Sequence, residues 1–254
     1  MQEVQETGIE RNETGPARPS VYGSYIDPDK ERDPGFFSLH LDAMGREIHY
    51  MAKEKGWWDK PRSTFSLYSL FLSEISEGVE EVRKPAFGED VPATMNAVYY
   101  IHPRTKDPIS GYKTDEEGIP LFKPEGVAIE LADFVIRGLD YMAYKGLKVV
   151  EMSQDDLNNA LKIIGITKEE FYQELNSFQV ISELTCHARA LGELESSKGK
   201  KVADPGYEES YLSLAFALCR EYVEHVYAVD FIELMELKVH FNGTRSIRHG
   251  GKKY

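Results

Sequence analysis

The strongest constraint on the fold comes from acidic residues that continue an apolar helical stripe. Leu67 and Leu70 begin a row with the spacing i, i+3, i+7, i+10, i+14, which continues as Glu74, Glu77 and Glu81. Residues at these spacings lie on one face of an α-helix. A carboxylate on the apolar face requires a compensating cation, because burying an unpaired charge is costly. The stripe therefore predicts a helix that supplies carboxylates to a cation site.

A second acidic pair, Glu130 and Asp133, has the same i, i+3 spacing on a later predicted helix. Two such helices that face each other would bring four carboxylates to one point. Carboxylate oxygens form the hard ligand set that magnesium prefers, and magnesium keeps coordination positions for water and substrate phosphates. We therefore take Glu74, Glu77, Glu130 and Asp133 as candidate metal ligands. The leading hypothesis is a metal-dependent enzyme that acts on phosphates.

Composition limits the partners and the location of the protein. The 254 residues can bury a substantial core, and the formal net charge of −13 disfavours a role in coating nucleic acid, whose phosphates bind clustered lysine and arginine. No apolar run approaches the roughly 20 residues of a membrane span, and the polar N-terminus does not resemble a signal peptide. A cytoplasmic protein without membrane contact is expected. Cys186 and Cys219 lie in apolar helical patterns, which predicts buried free thiols.

Hydrophobic periodicity predicts an all-α chain behind a flexible leader over residues 1–34. The predicted helices cover about 35–55, 63–83, 124–144, 168–195, 206–228 and 230–242. A proline opens the first turn of the third of these helices, and further helix starts are expected at Ser153 and Thr167. Residues 87–122 lack periodicity and predict a small irregular or hairpin insertion, with a short strand over 97–101.

A weak internal repeat suggests that the chain is a degenerate tandem duplication. Segment 70–78 is similar to 184–192, and segment 131–137 is similar to 214–220. In the second copy apolar side chains replace the acidic ones: Ala188, Leu191 and Phe216. A duplication would divide a helical domain over 35–254 into an active half, 35–152, and a scaffold half, 153–254. The alternative is a chance similarity between amphipathic helices.

Five short motifs surround these features. In chain order they are Ile48-His49-x-x-Ala52-x-x-Lys55-Gly56-Trp57-Trp58-Asp59, Glu74-x-x-Glu77, Lys123-Pro124-Glu125-Gly126, Glu130-x-x-Asp133 and Lys238-x-x-x-Asn242-x-Thr244-Arg245. This ordered set resembles the MazG-like all-α nucleoside triphosphate pyrophosphohydrolases, a superfamily that includes dimeric dUTPases and dCTP pyrophosphatases. The chain departs from the family in its long gap between the acidic pairs, in Ser73 where many relatives carry glutamate, and in a displaced C-terminal motif.

The resemblance implies a four-helix-bundle core and a hydrolase acting on phosphoric anhydrides. The implied reaction converts a nucleoside triphosphate and water into a monophosphate and pyrophosphate. The implied cofactor is magnesium, with manganese as a substitute, and the implied assembly is a homo-oligomer, a dimer being favoured. Glu77 is the candidate that positions or deprotonates the attacking water. His49 and Trp58 match positions that contact the nucleobase, and the candidates for phosphate or sugar binding are Lys238, Asn242 and Arg245.

Several alternatives remain open at this point. The enzyme could be specific for dUTP or dCTP, or the chain could be a catalytically silent regulator that binds nucleotides or alarmones. A purely structural helical protein would leave its acidic pairs in solvent. His49 and Trp58 could serve core packing, and the basic residues near the C-terminus could complement a helix dipole.

Overall fold

The computed structural model describes residues 34–84, 97–101, 108–109, 122–173, 175–198 and 205–245. These residues are mostly helical, which confirms the all-α prediction. The helices in these ranges are α1 (Pro34–Glu54), α2 (Thr64–Arg83), α3 (Val127–Lys145), α4 (Gln154–Ile164), α5 (Lys168–Phe171), α6 (Asn176–Lys198), α7 (Pro205–Tyr227) and α8 (Phe231–Thr244). The predicted leader, apart from Pro34, and most of the predicted insertion over 87–122 lie outside the described residues.

A small antiparallel sheet precedes α3. Its strands are β1 (Tyr99–Ile101), β2 (Pro108–Ile109) and β3 (Lys123–Glu125), in the spatial order β2-β1-β3. The short strand expected over 97–101 is therefore confirmed. The predicted proline start of the third helix is wrong, because Pro124 pairs with Tyr100 in the sheet. Gly126 then turns the chain into α3 with φ 116°, a conformation that only glycine adopts readily.

Side-chain caps fix four of the eight helix starts among the described residues. Ser153 and Thr167 each form a capping box, as their sequences predict. Ser63 caps α2 and Asp230 caps α8. The single helix predicted over 168–195 is wrong: the chain forms the short helix α5 and then α6. The side chain of Asn176, at the start of α6, donates to the carbonyl of Glu170 (2.9 Å), which stabilises the turn between them.

Helix α3 lies at the centre of the fold and packs against α1, α2, α7 and α8. All six residues over 127–132 are buried, as expected for a helix surrounded by other helices. On the other side of α2, α6 packs against α2 and α7. Cys219 is buried as predicted, but Cys186 is exposed, because its position on α6 faces away from these two helices. None of the described helices has the length and apolar character required to cross a membrane.

Two glycines allow close contacts between helices that carry the similar segments. A Cβ atom on Gly138 of α3 would lie 2.5 Å from Cζ of Phe216 on α7, and one on Gly78 of α2 would lie 2.6 Å from Cε1 of Phe178 on α6. Helices α2 and α6, and helices α3 and α7, therefore pack so closely that a residue larger than glycine at position 78 or 138 would collide with the facing phenylalanine. Duplication of the chain remains a prediction.

We expect Gly138→Ala to lower the free energy of unfolding by about 1–3 kcal/mol, because the added methyl group overpacks the contact with Phe216. Urea unfolding followed by circular dichroism measures this change. Gly243→Ala is the matched control, since no atom lies within 4 Å of its added Cβ. Equal stability of the two variants would contradict the packing described for α3 and α7.

Candidate metal centre and adjoining pocket

Three of the four predicted metal ligands come together in the structure. Glu74 of α2 and Glu130 and Asp133 of α3 each place one carboxylate oxygen within 4.8 Å of the others. We call this group the inner triad. Glu74 and Glu130 are each only 3% exposed. Three carboxylate oxygens at this separation form a donor set suited to a hard divalent cation.

A second group of carboxylates adjoins the first. Glu81 of α2, Glu125 of β3 and Glu130 also place their oxygens within 4.8 Å of one another. We call this group the outer triad, and Glu130 belongs to both. The strand β3 and the turn at Gly126 bring Glu125 to the start of α3, a placement that the sequence patterns did not predict.

The local sequence explains why the inner triad is buried. On α2, Glu74 lies on the same face as the buried residues Leu67, Phe71 and Ile75. On α3, Glu130 lies in the first helical turn, where the positive end of the helix dipole favours an anion. The close packing of α2 on α3 then brings the two acidic helix faces together.

Two basic side chains already contact the inner triad. Arg137 Nε lies 2.5 Å from Glu74 Oε1, and Lys238 Nζ of α8 lies 2.8 Å from Asp133 Oδ2. Lys238 is 1% exposed and also donates to the carbonyl of Pro124 at 3.4 Å. Burial acts to lower the pKa of Lys238, but the charges of Asp133 and Glu130 outweigh it and raise this pKa.

Burial raises the pKa of the two most enclosed carboxyls. The pKa of Glu74 rises to about 7, with the charges of Asp133 and Glu77 adding to the effect of burial and Arg137 opposing it. The pKa of Glu130 rises to about 9 through burial, with Lys238 opposing and Asp133 reinforcing the effect. Binding a divalent cation would release these protons, because metal ligands bind as carboxylates.

Glu77, the fourth predicted ligand, is exposed on α2 one turn beyond Glu74. It belongs to neither triad, although its charge reaches Glu74 and raises the pKa of that carboxyl. Glu74 and Glu77 have the same i, i+3 spacing as Glu130 and Asp133. Helix α3 is surrounded by other helices, whereas one side of α2 faces solvent. Both members of the pair on α3 join the inner triad and only one member of the pair on α2 does so, because of how other helices cover α2 and α3 and not because of the spacing.

A pocket with a cavity volume of about 140 Å³ opens beside the inner triad. Asp133, Arg137 and Asp140 line it from successive turns of α3. The polar and aromatic residues that line it from the loop after α1 and from the C-terminal end of α8 are Lys55, Trp57, Trp58, Arg62, Asn242 and Arg245. The pocket therefore presents basic groups next to the carboxylates and aromatic rings farther along the same wall.

Asp140 organises the aromatic end of the pocket. Trp58 Nε1 donates to Asp140 Oδ1 at 2.9 Å, and His49 Nδ1 lies 2.7 Å from the same oxygen. Trp58 also stacks on Tyr144 with ring centroids 4.2 Å apart. Burial raises the pKa of Asp140, while the hydrogen bond from His49 opposes this effect. His49 does not line the pocket and contacts it only through Asp140 and Trp58.

Asp140 was not among the predicted site residues, although the sequence places it on the polar face of α3. Glu130, Asp133, Arg137 and Asp140 follow the spacing i, i+3, i+7, i+10 and therefore occupy one face of α3. A polar row of this length on an otherwise buried helix indicates a functional face.

Lys55 holds the C-terminal end of α8 against the pocket. Its Nζ donates to the backbone carbonyls of Asn242, Gly243 and Arg245 at 2.6, 2.8 and 2.8 Å. These contacts satisfy carbonyls that the end of a helix leaves without intrahelical partners. Asn242 Oδ1 is buried without a hydrogen-bond partner among the described residues and lies in the pocket wall. Asn242 and Arg245 therefore line the pocket, whereas Lys238 does not, and binding of phosphate or sugar by these residues stays a prediction.

No family model matches the chain, and neither the curated proteins nor the solved structures give a significant match. The described residues form a mostly helical fold with a buried carboxylate centre beside a basic and aromatic pocket.

Proposed function

We propose that the chain is a magnesium-dependent nucleoside triphosphate pyrophosphohydrolase of the MazG-like type. It would convert a nucleoside triphosphate and water into a monophosphate and pyrophosphate, and so control a nucleotide pool. The observation that carries this proposal is the inner triad: the buried carboxylates of Glu74 and Glu130 and the partly exposed carboxylate of Asp133 converge beside a pocket lined with basic and aromatic side chains. An all-oxygen donor set suits magnesium, with manganese as a substitute.

The residues that would hold the ion are Glu74, Glu130 and Asp133. A bound magnesium ion would neutralise triphosphate charge and stabilise the charge that develops during in-line attack by water. Glu77 stands one turn beyond Glu74 at the solvent side, and we assign it to positioning or deprotonating that water.

The chain itself supplies donors for the phosphates. Arg62, Arg137 and Arg245 line the pocket, and planar guanidinium groups match the geometry of phosphate oxygens. Arg137 also contacts Glu74 and so fixes the orientation of a proposed metal ligand. Asn242 presents its amide in the same wall and suits a sugar hydroxyl or a base edge.

The aromatic end of the pocket suits the nucleobase. Trp57 and Trp58 both line it, and an indole ring offers a face on which a base stacks. Asp140 holds Trp58 in place through the indole N–H, and His49 supports Asp140 from outside the pocket. In this proposal His49 positions the base site without touching the base. An enzyme restricted to dUTP or dCTP is the narrower form of the same proposal.

A second candidate is a regulator that binds nucleotides without hydrolysing them. It is favoured by the ion pairs Arg137–Glu74 and Lys238–Asp133, which balance two carboxylates of the inner triad without a metal ion. A cytoplasmic location is an expectation from composition, and a homo-oligomer, with a dimer favoured, is implied by the family resemblance. Both statements belong to the proposal.

Thermal unfolding in the presence of magnesium and nucleotide distinguishes an enzyme or a nucleotide-binding regulator from a purely structural protein. An enzyme or a regulator gains stability when ligand binds to the folded state, by about 2.7 kcal/mol at a hundredfold excess over Kd. A structural protein shows no shift in Tm. Release of pyrophosphate then distinguishes the enzyme from the regulator.

Lys55→Met tests the part of the site built on α8. We expect KM for the nucleotide to rise about tenfold, equivalent to about 1.4 kcal/mol, because the segment bearing Asn242 and Arg245 loses its three hydrogen bonds to Lys55. Steady-state kinetics measures KM, and magnesium affinity should not change, because Lys55 contacts neither triad.

Lys53→Met is the matched control for this prediction. It removes an exposed lysine from the same end of α1 and should leave KM within about twofold of wild type. An unchanged KM in Lys55→Met would show that the end of α8 does not take part in nucleotide binding.

A further inference from the structure

The two triads have the layout of a site for two metal ions. Glu130 is common to both and would bridge the ions, as carboxylates do in enzymes that use paired metals for phosphoryl chemistry. The structure differs from such a site in one respect. A lysine side chain lies among the carboxylates of both triads.

That side chain is Lys238, which α8 projects into the carboxylate region. Its ammonium contacts Asp133 of the inner triad at 2.8 Å and interacts electrostatically with Glu130 and Glu125 of the outer triad. The carbonyl of Pro124 in β3 accepts a further hydrogen bond from it. Lys238 is 1% exposed. Moving its ammonium away would leave the carboxylates without their counter-charge and would separate the ammonium from its own partners.

The other carboxylates of the outer triad also have basic partners. Lys84 pairs with Glu81, which in addition accepts a hydrogen bond from the Tyr99 hydroxyl at 2.9 Å. Lys123 pairs with Glu125. Among the described residues, Arg137 and the shared Lys238 supply the positive charge next to the inner triad.

The charges of the two triads and of their basic partners favour a single bound divalent ion. Within the described part of the chain, the five carboxylates of the two triads have four basic side chains as partners: Arg137, Lys238, Lys84 and Lys123. With all five carboxylates ionised, as metal binding requires, these groups carry a net charge of −1, and one divalent cation at the inner triad changes it to +1. A second would add repulsion from Lys238 and from the first ion in a region that water screens poorly.

We propose that Lys238 is a built-in cation that takes the place of a second metal ion, so that the chain binds a single divalent ion at the inner triad. This inference rests on the proposed function, whose metal requirement it specifies. Lys238 is then a positioning residue that fixes Asp133 and Glu130, and it does not touch the substrate.

Counting bound manganese tests the proposal on the full chain. Manganese replaces magnesium at oxygen sites, and the electron paramagnetic resonance signal of the free ion gives the number bound. We expect one ion per chain in wild type and two in Lys238→Met, because the neutral side chain frees the outer triad. Lys123→Met removes a half-exposed lysine from the same triad and should still bind one ion, since solvent screens that charge.

The outcomes separate this inference from the function on which it rests. Absence of manganese binding in wild type would overturn both. One ion in wild type and one in a folded Lys238→Met variant would overturn the role of Lys238 and leave the metal site intact. Two ions in wild type would also overturn it.

A second variant keeps the test decisive if Lys238→Met does not fold. Glu81→Gln alters only the outer triad and should leave both the single ion and its affinity unchanged within about twofold. Loss of an ion, or affinity weakened more than about tenfold, would show that the outer triad holds metal in wild type.

Discussion

Magnesium-dependent release of pyrophosphate is expected to fall at least about a thousandfold in Glu74→Gln, equivalent to about 4 kcal/mol of transition-state stabilisation. Glu74 supplies one of the three oxygens of the inner triad and is 3% exposed, so no solvent-facing group can replace it. The fold should persist, because the amide has the shape of the carboxyl and removes a charge that is unfavourable in a buried position. A continuous assay for pyrophosphate measures the rate, and circular dichroism checks the fold.

Glu80→Gln provides the matched control for this substitution. Glu80 lies on the same helix, is exposed, and pairs only with Arg83 among the described residues. Its replacement should change the rate by less than about twofold. Full activity in Glu74→Gln would remove the inner triad from the reaction and with it the proposed metal site.

The stability of the metal-free protein is expected to fall as pH rises from about 4.5 towards 9. Burial raises the pKa of Glu74 to about 7 and that of Glu130 to about 9, from a usual value of 4.5. In this window the folded protein holds protons that the unfolded chain has released. The free energy of unfolding therefore decreases as pH rises. The stability that these two protonated carboxyls contribute is fully present only below 4.5, the pKa of the same groups in the unfolded chain.

We expect the metal-free protein to be less stable at pH 9 than at pH 6 by more than about 2 kcal/mol. Urea unfolding in the presence of a chelator measures this difference. Glu130→Gln should reduce the slope between these pH values, because an amide does not titrate. Saturating magnesium should reduce it as well, because the ion binds the charged form of the triad. A variant with the same slope as wild type would contradict the burial assigned to Glu130.

Most of the fold was predictable because it depends on local patterns. Apolar periodicity located the long helices, and the capping boxes at Ser153 and Thr167 located two helix starts within a residue. The break between α5 and α6 was missed because it depends on the hydrogen bond from Asn176 to Glu170. The strand at Lys123–Glu125 was missed because its partner, β1, lies beyond a segment without periodicity.

The candidate site was predictable only in part for a related reason. The i, i+3 spacing placed two acidic pairs on helix faces, since helical geometry alone decides which side chains share a face. It did not separate Glu77, which belongs to neither triad, from the three residues of the inner triad. The positions of Lys238 and Lys55 depend instead on how α8 packs against α3 and α1. Such contacts join residues far apart in the chain, and a single sequence carries no record of them.

We propose that the inner triad supports hydrolysis between the α- and β-phosphates of a nucleoside triphosphate. The most direct test is to measure the products formed from a panel of ribo- and deoxyribonucleoside triphosphates, with and without magnesium. The proposal predicts magnesium-dependent release of monophosphate and pyrophosphate in equal amounts from at least one of them. No release, or release of diphosphate and inorganic phosphate instead, would contradict it.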